Sequence, residues 1–321
     1  MGARRKHMLK KDIPSRWIYD YFSPFEIHKH AIQGTVYHGH SDIQEIVIAE
    51  SECFGRCLIL DNEFQSAELD EFVYHESLVQ PALILHPEPK KVAIIGGGEG
   101  ATLREVLRHK TVNKAVMVDL DEKVVECSKE FLPSFHNGSF SDKRTTLLFK
   151  DGRNFIEEAD ETFDAIIIDI TCPLEGGPSY KLFTKEFYEL VRQRLTPQGL
   201  FSIQASTTSP TALTTYTILN RTLKEVFPNV FPYAAYVPFF AMLWGFCLAT
   251  NDLDPAQVTR EEIDQRISER IKGELKFYDG TTHQSIFNLP KYVRKALAQQ
   301  THVNRDNQPL KEKYPGLAKK G

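Results

Sequence analysis

The chain has 321 residues, 41% of them hydrophobic and 26% charged, with a formal net charge of −4. That length holds a full core with room for a second, smaller unit. The charge supplies no basic field for nucleic acid, and no apolar run reaches membrane-spanning length. The start, Met1-Gly2-Ala3-Arg4-Arg5-Lys6-His7, has no apolar stretch behind it and does not read as a secretory signal. Five cysteines, an odd number without such a signal, point to a reducing compartment and a cytoplasmic protein. Cys53 and Cys57 have no second pair, so no metal site is expected from them.

In chain order, residues 27–66 read as a small antiparallel sheet of hairpins. Ile43–Ile48 and Cys57–Leu60 are short apolar or alternating runs broken by Gly55 and ended by Asp61-Asn62. Asp70 then starts a helix over Glu71–Gln80, with Phe72, Leu78 and Val79 turned to a core and Pro81 bending or restarting it. From Lys90 to about Asn251, strands alternate with helical patterns, which predicts a mainly parallel sheet of the doubly wound α/β class. Lys114–Val118, Thr146–Phe149, Ala165–Ile168, Leu200–Gln204 and Phe246–Ala249 are its expected strands. The Gly- and Pro-rich run Pro173–Tyr180 is expected to close over a ligand. Residues 252–300 read as helical with a break at Tyr278-Asp279-Gly280, and the tail after Thr301 as loose. The expected division is residues 1–80 as a β-hairpin domain, 81–255 as a Rossmann-like domain and 256–321 as a helical extension.

The chemistry concentrates at Val92–Gly100. An apolar strand feeds Gly96-Gly97-Gly98-Glu99-Gly100, and a helix follows at once. Glycine allows close backbone approach by a ligand, and a helix N-terminus favours negative charge. Gly96-x-Gly98-x-x-Ala101 fits a dinucleotide fingerprint, and Gly96-x-Gly98-x-Gly100 fits a methyltransferase nucleoside loop equally well. Three later strands end in a carboxylate, at Asp119, at Asp151 before Gly152, and at Asp169. Asp119 stands about twenty residues past the loop, where a carboxylate accepts ribose hydroxyls. Such aspartates also cap helices.

These residues together resemble the spermidine synthase (aminopropyltransferase) family. The carriers are Asp61–Ser66, Asp70–Glu76, the glycine loop and Asp169-Ile170-Thr171-Cys172-Pro173, in that order over residues 30–250. Glu99 in the loop and Glu175-Gly176-Gly177-Pro178 are most similar to the branch of thermospermine synthases and prokaryotic agmatine or triamine aminopropyltransferases. The resemblance implies a methyltransferase-type Rossmann-like fold with a small N-terminal β domain. It implies transfer of an aminopropyl group from decarboxylated S-adenosylmethionine, a co-substrate rather than a bound cofactor, to a diamine or polyamine. Methylthioadenosine leaves, and homodimers or homotetramers form through the N-terminal sheet. By position it implies Asp119 on the ribose, Asp151 on the adenine amino group, Gln65 near the sulfonium, and Glu99 with His75 on the donor's amine. Tyr74 and Asp169 face the reacting nitrogen, with Asp169 as base. An S-adenosylmethionine-dependent amine N-methyltransferase shares every nucleoside residue and is the alternative.

One position departs from the pattern. Cys172 replaces the second aspartate of the family's Asp-x-x-Asp-Pro, and Pro238–Trp244, which contains Phe240, is apolar where many relatives carry Tyr or acidic groups. The expectation is an acceptor longer than putrescine, such as spermidine or aminopropylated agmatine.

Overall fold

The structure, a computed structural model, describes residues 16–23, 26–171, 179–308 and 310. The chain divides into two compact units between Asp70 and Glu71.

The first unit is an antiparallel meander: β1 (Trp17–Ser23), β2 (Glu26–His40), β3 (Glu45–Ser51), β4 (Gly55–Leu60) and β5 (Glu63–Ala67), paired in chain order. The β4–β5 turn is Asp61-Asn62, both at positive φ (48° and 61°), between the paired Leu60 and Glu63. Two left-handed residues give the turn whose twist matches the flanking strands, and Asp and Asn tolerate that region best after glycine. Ile46, Ile48, Leu58 and Phe64 form its buried side.

The second unit begins with helix α1 (Glu71–Leu85), every residue of which is buried except Phe72. The boundary expected at residue 80 falls inside this helix. The helix does not restart at Pro81 but runs through it, for a local reason. Proline donates no hydrogen bond, which leaves the Ser77 carbonyl four residues earlier without its helical partner. The Tyr233 hydroxyl donates to that carbonyl at 2.8 Å.

The remaining strands are β6 (Lys91–Gly96), β7 (Lys114–Asp119), β8 (Thr145–Phe149), β9 (Phe163–Asp169), β10 (Leu195–Thr207), β11 (Asn229–Val237) and β12 (Met242–Thr250). Their order is β11-β12-β10-β9-β6-β7-β8. β8, β7, β6, β9 and β10 run parallel, and β12 and β11 add on antiparallel. The parallel centre is apolar without alternation, as strands covered on both faces must be. Val92–Ile94 and Ala165–Ile168 are fully buried. β11 was not expected, because Asn229 and Pro232 interrupt its apolar pattern; its hydrogen-bonded neighbour is β12 alone, the edge position that tolerates proline.

The chain lays β7 and β8 on one side of β6, then crosses to place β9 on the other. A doubly wound sheet binds ligands at such a reversal, beyond the carboxyl ends of the strands. The helices that matter here are α2 (Ala101–Leu107) after β6, α3 (Glu122–Phe131) after β7, and α4 (Gly152–Glu158) after β8. The C-terminal segment joins the same unit. Helices span Arg260–Arg270, Gly280–Ile286 and Lys291–Gln299, and the Glu76 carboxylate of α1 accepts the N–H groups of Lys276, Phe277 and Tyr278 at 2.8 Å each. The expected lid at residues 173–178 and the tail from 311 lie outside the described residues. Among the described residues, no helix is long and apolar enough to cross a membrane.

Candidate active site

The loop after β6 is built by contacts that only glycine permits. Gly96 lies at φ +84° opposite Asp169, and a Cβ on it would stand 2.0 Å from the Asp169 carbonyl oxygen. Gly100, at φ +79°, caps α2, and a Cβ there would meet the Phe140 ring at 2.5 Å. The Gly97 N–H donates to the Asp169 carbonyl at 2.8 Å, so the loop is tied to the end of β9. Gly98 faces the next strand end: a Cβ on it would lie 3.1 Å from Asp119 Oδ2. Gly152 packs under β6, its α-carbon against Ile95.

The carboxylates follow the strand order. Asp119 ends β7, Asp151 stands just beyond β8 and Asp169 ends β9. Two of them also shape the backbone. Asp119 Oδ1 accepts the Asp121 N–H at 2.8 Å, and Asp151 Oδ1 caps α4 by accepting the Asn154 N–H at 2.9 Å. The capping reading therefore holds for Asp151, beside any role toward a ligand. Burial raises the Asp119 pKa to about 7, and the charges of Asp121, Glu99 and Asp169 push in the same direction.

Asp169 is held at both oxygens. The Tyr74 hydroxyl of α1 donates to Oδ1 at 2.8 Å, and Thr102 Oγ1 of α2 donates to Oδ2 at 2.5 Å. Burial raises its pKa, aided by the Glu99 charge; the His75 charge and the two hydroxyl donors oppose this.

Beneath it lies a buried polar chain. His75 Nδ1 donates to the Glu71 carbonyl at 2.7 Å and to Glu71 Oε2 at 2.9 Å, and Nε2 meets Glu99 Oε1 at 3.1 Å. Arg104 donates to Glu71 at 2.8 Å and to Glu105 at 2.9 Å. Burial alone would keep His75 neutral. Its hydrogen bonds and the charges of Glu71 and Glu99 outweigh burial and raise its pKa to about 10. Glu71 goes the other way: against burial, His75 and Arg104 lower it to about 2. Glu99 is likewise lowered, with His75 overcoming burial.

His75, Glu99 and Asp169 each offer a ligand atom within 4.8 Å of the others. A metal is nevertheless a poor fit. An imidazolium carrying a proton on both nitrogens has no lone pair to give. The arrangement suits an ammonium group better.

Tyr74, His75, Glu99 and Asp169 are thus brought together, and Phe240 joins them from the β11–β12 turn, its ring 6.2 Å from that of Tyr74. Gln65 lies on β5 in the first unit, its amide donating to the Glu63 carbonyl at 3.1 Å. Cys172 lies outside the described residues. Thr102, Glu71 and Arg104 escaped the sequence reading. Glu71 and His75 do stand four apart on one helix, a spacing that pairs side chains. Thr102 follows the glycine loop directly, but nothing in its neighbours signals a link to Asp169.

Residues 71–262 match the spermine/spermidine synthase domain, and residues 16–68 match the spermidine synthase tetramerisation domain. The polyamine aminopropyltransferase of Sulfolobus acidocaldarius is 44% identical over 92% of this chain and 97% of its own. Polyamine aminopropyltransferase 2 of Hyperthermus butylicus is 42% identical over 93% and 97%. A crystal structure of spermidine synthase in complex with the transition-state analogue AdoDATO has a TM-score of 0.83 at 32% identity, covering 92% of this chain and all of that one. Two domain matches in order, and these identities across nearly the whole length, place the chain in the spermidine synthase family.

Proposed function

We propose that the chain transfers the aminopropyl group of decarboxylated S-adenosylmethionine to an amine nitrogen of a diamine or polyamine, releasing methylthioadenosine. The observation that carries this is the pairing of Glu99, kept anionic by His75, with the doubly held Asp169 at the switch point of the sheet.

Donor and acceptor are both cations, and a cation at this crest meets carboxylates. Asp119 accepts from the ribose hydroxyls and Asp151 from the adenine amino group, beside its cap. Glu99 receives the donor's ammonium. His75 positions Glu99 and does not touch the amine, because both of its nitrogens already donate. An alkylamine resembling lysine titrates near 10.4, so its neutral, attacking form costs about 4–5 kcal/mol at pH 7. Asp169 accepts that proton and offsets part of the cost. The sulfonium departs as a neutral thioether and needs no acid. The remaining work is alignment of nitrogen, carbon and sulfur. Phe240, its ring tilted against that of Trp244 with centroids 4.8 Å apart, gives the acceptor's methylene chain an apolar wall beside Tyr74. Residues 16–68 are proposed to assemble the chain into an oligomer, as the matched domain's name states for its family.

The N-methyltransferase reading is disfavoured by charge. Intact S-adenosylmethionine carries a carboxylate at the end of the donor that here would meet anionic Glu99. Calorimetry on Glu99→Gln tests the assignment. A charge-assisted hydrogen bond is worth roughly 1.5–3 kcal/mol, so the variant should bind decarboxylated S-adenosylmethionine at least about tenfold more weakly. Methylthioadenosine, which lacks the amine, should bind almost as before. Equal losses for both ligands would remove Glu99 from the amine site.

A further inference from the structure

None of the residues used so far lies at the end of the β2–β3 hairpin, yet two histidines and a glutamate meet there. We propose that His38, His40 and Glu45 form a binding site for a divalent transition-metal ion of zinc-like chemistry.

His38 and His40 stand two residues apart on β2, so their side chains leave the same face of the sheet. Glu45 is the residue opposite His40 on β3. One ligand atom from each of the three lies within 4.8 Å of the other two. The imidazole rings are 6.0 Å apart between centroids, and His38 Nε2 is 2.7 Å from Glu45 Oε1. Zinc binds nitrogen and carboxylate oxygen at about 2.0–2.2 Å, which sets tetrahedral ligand atoms about 3.4 Å apart. Side-chain rotations of roughly an ångström therefore suffice, and the His38 side chain is 56% exposed and open to such a rotation.

The carboxylate has a partner outside the cluster, and its backbone is tied down. Its Oε2 accepts from Asn62 Nδ2 at 3.3 Å, and the Glu45 backbone N–H donates to Asp61 Oδ1 at 2.9 Å. Both partners come from the tight β4–β5 turn, so three neighbouring strands share in building the corner. Outer hydrogen bonds of this kind orient metal ligands in known sites. Two imidazole nitrogens and one carboxylate oxygen are a donor set for zinc, nickel or copper rather than for magnesium or calcium. A fourth position stays open to water. An exposed His–Glu pair alone contributes little, and it would leave the second imidazole without a purpose at this distance.

The test is titration of zinc chloride by calorimetry into the full chain, stripped by chelator and free of any affinity tag. Wild type should take up an equivalent of zinc that the His38→Ala/His40→Ala double variant binds at least tenfold more weakly. Glu45→Gln, which preserves shape, should weaken it similarly while melting like wild type in the absence of zinc. Glu99→Gln should retain the equivalent, which separates this corner from the buried His75 cluster. Failure of wild type to bind zinc, equal binding by all variants, or loss in Glu99→Gln alone would overturn the proposal.

Discussion

At the scale of single residues, the proposed chemistry depends on how Asp169 is held. An aspartate that takes a proton from an amine must be aimed and must keep a usable basicity. Tyr74 and Thr102 aim it, and both donate to the ionised form, which opposes the rise caused by burial and Glu99. Asp169→Asn keeps the shape and loses proton acceptance. Turnover should fall at least about a hundredfold, the usual range for a general base, with nucleoside affinity little changed. Thr102→Val removes one donor, so the Asp169 pKa should rise and the acid limb of the kcat/KM profile should move to higher pH. A pH–rate profile of Thr102→Val that superimposes on wild type would reduce Thr102 to packing. The aspartate itself was legible in the sequence because it closes an apolar strand before a turn. Of its two donors, Tyr74 was placed beside it only by the family resemblance and Thr102 not at all, because they come from separate helices, Thr102 67 residues away in the chain and Tyr74 95 residues away.

At the scale of elements, α1 shows where local rules yield to packing. Pro81 is expected to bend or restart a helix that runs over Glu71–Gln80. The helix continues because Tyr233, from β11, supplies the donor that proline lacks. β11 was itself invisible in the sequence, so the compensation was invisible as well. Tyr233→Phe leaves the ring, which stacks on Phe246, and removes the hydroxyl. The Ser77 carbonyl would then lose its donor, and the cost should be about 1–3 kcal/mol in urea unfolding. A loss well below this would mean that α1 accommodates Pro81 without help. By contrast, the parallel strands β6, β7, β8 and β9 were readable almost to their ends. Burial on both faces imposes a continuous apolar run, and function imposes the glycine turn and the terminal carboxylates. Elements fixed by local pattern were recovered, and those fixed by a distant partner were not.

At the scale of the whole molecule, the second unit keeps a charged chain in its interior. Glu71, His75, Glu99, Arg104 and Glu105 join α1 to the loop and to α2. Such a chain ties stability to pH. His75 is raised from an ordinary 6.5 to about 10, so its stabilisation is full below pH 6.5 and is lost as pH climbs through about 10. Glu71 is lowered to about 2, so its share is full above about 4.5 and is lost as pH falls toward 2. His75→Gln removes the cation beside buried Glu99 and leaves Glu71 to Arg104 alone, a change of the kind that costs about 3–5 kcal/mol. The gap to wild type in urea unfolding should be widest between pH 4.5 and 6.5 and should close toward pH 10. A gap independent of pH would mean that His75 is neutral in the folded protein. If this interior holds a cationic donor for attack by an amine, the choice of donor decides the product. Wild-type enzyme is incubated with spermidine and with either decarboxylated or intact S-adenosylmethionine, and the products are identified by mass spectrometry. The decarboxylated donor should give an aminopropylated amine with methylthioadenosine, and the intact one should not react. A methylated amine with S-adenosylhomocysteine would contradict this.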